Sequence, residues 1–103
     1  MNSGFIYPEV IADIRMACSR HVAGVASSDD LQRAVQRGEV AVVAVEESDI
    51  RKFFTDIEGQ LELVKFTVDD NKQLLETQRI AKHVLSWLLA RESSGGRPIP
   101  HGA

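Results

Sequence analysis

Apolar residues recur at helical spacing along most of the chain. Between Pro8 and Gly24, Val10, Ile14, Ala17, Cys18, His21 and Val22 fall on one broad face, while Asp13, Arg15, Ser19 and Arg20 lie mostly elsewhere. Proline suits a first helical position and glycine the position just past an end, so the pattern predicts a helix over about 8–23. SSDD at 27–30 is a helix start signal, with Gln32 three residues after Asp29 as a capping box requires. A second helix is therefore expected from near Asp29, with Leu31, Ala34 and Val35 as its apolar edge and Gly38 as its cap or a weak point.

The stretch VAVVAVEESDI, residues 40–50, sets two rules against each other. Four valines in six residues favour a strand, because β-branched side chains lose rotamer freedom in a helix. The helical register nevertheless runs on, since Val43, Ile50, Phe54, Ile57, Leu61, Val64 and Val68 recur at spacings of three, four or seven. Periodicity favours an all-α fold: a small antiparallel bundle of about three helices, the middle one long or broken near Gly38 and Gly59. The alternative is an α+β fold with short strands at 40–45 and 61–68. In either case the valines are expected in the core.

DDNKQLLETQRIAKHVLSWLLAR begins with Asp69 or Asp70 as a cap and carries Leu74, Ala81, Val84, Leu85, Trp87 and Leu88 on a wide apolar face. It predicts a helix over 70–91, with Arg91 placed to complement the negative end of the helix dipole. Residues 92–103 combine Ser, Gly and Pro without periodicity and read as a disordered tail, leaving 1–91 as a single helical domain.

Charge changes the picture more than composition does. The net charge of −3 hides a middle segment, 39–70, with nine acids against three bases. Such a surface disfavours nucleic-acid phosphates and favours a basic protein partner. Six acids are the candidate partner-binding residues: Glu46, Glu47, Asp49, Asp56, Glu58 and Glu62. A helix-turn-helix reading around Gly38 fails because its recognition helix would open with Glu46, Glu47 and Asp49, and Lys72, Arg79 and Lys82 are too sparse for a basic footprint.

Candidate chemistry is thin. Cys18 and His21, three apart, offer two metal ligands where zinc needs three or four, and no second Cys/His pair exists, so no metal and no cofactor are expected. Glu58 with Glu62, and Glu76 with His83, lack the Glu-x-x-His pairing of bridging-carboxylate sites. No serine sits in a nucleophile elbow, and no glycine-rich phosphate loop occurs. A single cysteine, and an N-terminus without a basic stretch and apolar core, lead us to expect a cytoplasmic protein; no apolar run reaches membrane-span length. In size and acidity the chain is similar to small bacterial immunity proteins and antitoxins, a resemblance that implies a non-catalytic module neutralising or escorting a basic partner. The competing expectation is self-association into a homodimer through the valine stretch and the last helix.

Overall fold

The computed structural model describes residues 4–93. Four α-helices occupy most of that span: α1 (Pro8–Val22), α2 (Ser28–Ala41), α3 (Ser48–Thr67) and α4 (Asp70–Ser93), with a 3-10 turn at Val45–Glu47. No residue among those described is in a strand, so the α+β alternative is set aside. The predicted long middle helix is two helices, making the bundle four-membered rather than three.

Local rules explain most of the ends. Pro8 opens α1. At its far end Gly24 takes φ 81°, and the amides of Gly24 and Val25 return to the carbonyls of His21 and Arg20; this left-handed closure is accessible to glycine at little steric cost. Ser27 caps α2, its hydroxyl accepting from the Asp30 amide while the Asp30 carboxylate accepts from the Ser27 amide, both at 3.1 Å. Those bonds hold the Asp30 carboxyl below its ordinary value.

The expected break at Gly38 does not occur there, nor at Gly59; both lie inside continuous helices. Gly38 faces the core, where a Cβ would meet Ile14 Cδ1 at 3.0 Å and the Phe54 ring at 3.1 Å. It is a flat spot that lets α2 approach α1 and α3, not a helix end. The break comes four residues later, where Val42 turns extended and puts its side chain wholly inside the core.

Side-chain pairs fix the topology. Asp13 with Arg37, Asp29 with Lys65, Asp49 with Arg91 and Arg15 with Glu92 each join an early part of one helix to a late part of its neighbour, so consecutive helices run antiparallel and α4 closes against α1. Inside lie Ile11, Ile14 and Cys18 of α1, Leu31 and Val35 of α2, Ile50, Phe54, Ile57 and Leu61 of α3, and Val84 and Leu88 of α4. The helical periodicity was the right signal for these except Ile11, which is core where Val10 beside it was expected and is only partly buried. It misplaced the valine run: only Val42 is core, while Val40, Val43 and Val45 are 76, 65 and 84% exposed. Of the stretch 92–103 expected to be a disordered tail, Glu92 and Ser93 instead continue α4, with Glu92 bound to Arg15 at 2.8 Å; the rest, 94–103, lies outside the described residues.

Arg91 is more than a helix-end cation. Its guanidinium is fully buried, with Nε 2.8 Å and Nη2 3.3 Å from the two oxygens of Asp49 in the first turn of α3. Further hydrogen bonds secure this end of the bundle and the opposite one. The Glu47 carboxylate accepts from the Ile6 amide at 2.8 Å. His21, buried, bridges the Ala26 carbonyl at 2.9 Å and the Thr77 hydroxyl at 2.8 Å; because a carbonyl only accepts, Nδ1 carries the proton toward Ala26.

Two outcomes are expected in thermal or denaturant unfolding. Gly38→Ala destabilises the bundle by about 1–3 kcal/mol, since the added methyl meets a fully packed ring, whereas Gly59→Ala, where the same methyl meets open space, stabilises it by about 0.5–1 kcal/mol. Asp49→Ala costs about 3 kcal/mol or more, because it takes the carboxylate from a buried guanidinium.

Candidate functional site

The six candidate acids do not form one face. Glu47 is buried and spent on the Ile6 amide, and Asp49 is spent on Arg91. Glu46 is exposed in the linker and Asp56 on the outer surface of α3. Glu58 and Glu62 are brought together on the flank of α3 that meets α2, where they accept from the side-chain amides of Gln36 at 3.1 Å and Gln32 at 2.7 Å.

That meeting line is a polar seam. From α2 it receives Asp29, Gln32, Gln36 and Glu39, at spacings of three, four and three, which is one helical stripe. From α3 it receives Arg51, Thr55, Glu58, Glu62 and Lys65, at spacings of four, three, four and three. Lys65 Nζ lies 3.0 Å from Asp29 and 4.0 Å from Glu62. A groove of about 320 Å³ opens beside them, lined by Asp29, Gln32, Arg33, Gln36, Glu62 and Lys65.

At the other end of the seam Glu39 stands against Glu58. Burial raises the Glu39 carboxyl above its ordinary 4.5, and its contact with Glu58 raises it further, although Thr55 and Arg51 pull the other way. One of its oxygens is buried without a hydrogen-bond donor. Its placement in the last turn of α2, at the negative end of the helix dipole, adds to the cost of the charge.

Directly after Glu39 comes the exposed valine linker. Val42 and Ala44 are extended, and Val40, Val43 and Val45 project outward beside Glu46. Sequence reasoning assigned these side chains to the core, and it also missed Asp29, Gln32, Gln36 and Glu39. The seam residues carried a readable signal, the two matching polar stripes; the exposure of the valines carried none. Leu63 and Phe66, 60 and 78% exposed, form a further apolar pair at the C-terminal half of α3.

Burial pushes the Cys18 thiol up to about 12, so it is a neutral, enclosed group near neutral pH. His21, its neighbour on α1, is committed on both ring nitrogens. His83 is exposed, with its ring edge-on to Phe53 at 5.6 Å, and Phe53 in turn stacks on Trp87 at 4.0 Å and 6°. Among the described residues no group of three or more His, Cys, Asp or Glu is arranged to hold a metal ion, and no helix is long and apolar enough to cross a membrane.

Glu39 gives the seam a pH signature. Because its carboxyl is raised in the folded chain, the fold holds that proton more tightly than the unfolded chain does, so its contribution favours folding in acid and is lost as pH rises through the raised value. Glu39→Gln is expected to raise the melting temperature at pH 7, with the gain shrinking to nothing as pH falls to the ordinary 4.5 and below; melting curves from pH 4 to 8 measure it.

Compared with protein-family models, with curated proteins and with solved structures, the chain matches none.

Proposed function

We propose that this chain is a non-catalytic protein-binding domain that neutralises or escorts a basic partner. The observation that carries the reading is the valine linker: three β-branched apolar side chains stand in solvent at 65–84% exposure, next to Glu46 and at the end of a seam rich in carboxylates. Contiguous exposed apolar groups rimmed by charge mark interaction surfaces. Each valine contributes about 1.5–2 kcal/mol when a partner covers it fully. The surrounding acids add selectivity and association rate, an effect that salt screens within about 10 Å at 0.1 M.

The resemblance to immunity proteins and antitoxins supports the same reading, since both neutralise by covering a partner surface without chemistry. The bundle supplies what such a module needs, a rigid frame whose exposed linker is tied at both ends. Val42 anchors one end in the core and Glu47 the other on the Ile6 amide.

The tagged chain, used as bait in extract of its native source, is expected to retain a basic protein at low salt and to release it as salt rises. The double variant Val43→Asp/Val45→Asp loses that protein while melting near the wild-type temperature, because both side chains stand largely in solvent. Equal retention by the variant, or no retained protein at low salt, overturns the proposal. So does sedimentation that shows a dimer of the pure chain dissolved by the same variant, which assigns the valines to self-association instead.

A further inference from the structure

We propose that the chain's own C-terminal segment, residues 94–103, docks reversibly on the valine linker, with Arg97 against Glu46 and Ile99 over Val43 and Val45, and so competes with the partner. This rests on the binding reading of that edge and adds its regulation.

The end of α4 delivers the segment to the linker. Arg91 holds both oxygens of Asp49 in the first turn of α3, and Glu92 holds Arg15 on α1. Ser93, the last described residue, is two positions past Arg91, and Glu46 is three positions before Asp49. Extended chain spans about 3.3 Å per residue, so Arg97 can lie anywhere within roughly 13 Å of Ser93 and Ile99 within roughly 20 Å. Both side chains therefore reach a linker whose near end is pinned beside the same ion pair. The other exposed apolar pair, Leu63 and Phe66, stands 14 and 17 residues farther along α3 than Asp49, on the order of 20 Å or more up the helix.

The two surfaces are complementary. Residues 94–103, SGGRPIPHGA, contain no acid; they offer one guanidinium at Arg97 and one large apolar side chain at Ile99. The linker offers Val43 and Val45, 65 and 84% exposed, beside an exposed Glu46. The neighbouring acids Glu47, Asp49 and Glu92 are already bound to the Ile6 amide, Arg91 and Arg15. X-Pro steps, here Arg97–Pro98 and Ile99–Pro100, favour extended chain, which has less freedom to lose on lying along an apolar strip. Gly95 and Gly96 ahead of them allow the chain to turn back from α4. A short tether gives an effective concentration on the order of millimolar, so a contact too weak to join separate molecules forms within one chain. The segment carries the positive charge and apolar bulk that the linker selects in a partner, and the partner must displace it. A segment docked half of the time lowers partner affinity about twofold.

The full 15N-labelled chain is compared with its Arg97→Ala/Ile99→Asp variant. The amide resonances of Val43, Ala44, Val45 and Glu46 are expected to differ between the two, while those of Leu63 and Phe66 coincide. In return, Val43→Asp/Val45→Asp moves the Ile99 amide and lowers its heteronuclear Overhauser effect to that of Gly95. Linker resonances that coincide, or an Ile99 amide unmoved by the valine variant, overturn the inference. So do differences that fade on tenfold dilution, which assign the segment to a second copy. Used as bait at low salt, the Arg97→Ala/Ile99→Asp chain retains at least about twice the protein that the wild type does; equal or lower retention overturns the competition. The two readings fail separately. Linker resonances that differ while neither chain retains protein remove the binding domain and leave the docked segment; coincident resonances with a protein that Val43→Asp/Val45→Asp releases do the reverse.

Discussion

A buried guanidinium sets the terms for this bundle. Arg91 has no exposure, and an arginine cannot escape burial by losing its proton, so its charge must be met inside the protein. Asp49 meets it with both oxygens, which ties the last turns of α4 to the first turn of α3 and fixes the register between them. Two residues before Asp49, Glu47 turns inward to the Ile6 amide, so the start of α3 and the turn ahead of it are held from two sides. At the other end of the same linker Val42 is locked in the core. Between the two inward anchors the chain is extended only as far as Ala44, where alternation from Val42 turns Val43 out, and the 3-10 turn at Val45–Glu47 then brings Glu47 inward and leaves Val45 outside. The exposure of Val43 and Val45 follows from where Val42 and Glu47 are held, whereas Val40 is exposed on the last turn of α2.

This explains what the sequence could and could not disclose. Helical spacing identified most of the core, including Ile14, Ile50, Phe54, Ile57, Leu61, Val84 and Leu88, because burial of one stripe is a property of a single element. Four valines in six residues invited a core assignment because propensity is also local. Whether an apolar residue is covered depends instead on where its neighbours are anchored, and Glu47 and Ile6 are 41 residues apart. The candidate acids failed as a single face for the same reason. Charge counting treats Glu47 and Asp49 as surface, yet their partners, the Ile6 amide and Arg91, lie far away in the chain. Gly38 misled in a different manner: glycine marks helix ends when it adopts positive φ, as Gly24 does, but it also serves where backbones approach closely, as Gly38 does against Ile14 and Phe54.

Each interface in the bundle has its own chemistry, and that is a means of specifying one topology among the several that four amphipathic helices permit. Between α3 and α4 the contact combines the buried Asp49–Arg91 pair with Phe53 stacked on Trp87. Between α4 and α1 it combines the ion pair Arg15–Glu92 with the His21–Thr77 bond and the Gln78 amide near the His21 and Val22 carbonyls at 3.3 and 3.4 Å, where α4 covers the open end of α1. Asp13 and Arg37 join α1 to α2. Exchanging any two helices would set donors against hydrocarbon.

The α2–α3 seam departs from that balance. Several charges elsewhere meet one to one, as in Arg15–Glu92, Arg37–Asp13 and Arg79–Glu76. Along the seam Asp29, Glu39, Glu58 and Glu62 face Lys65 and Arg51, while the amide donors of Gln32 and Gln36 are consumed by two of those carboxylates. Structure alone gives little reason for the imbalance, because a seam built only for stability gains from matched charge or from hydrocarbon of the same shape. An excess of carboxylates lowers the stability of the isolated chain and favours a complex that brings positive charge. On the binding reading proposed above, that excess adds its charge to the apolar side chains of Val40, Val43 and Val45, which stand exposed just past the Glu39 end of the seam.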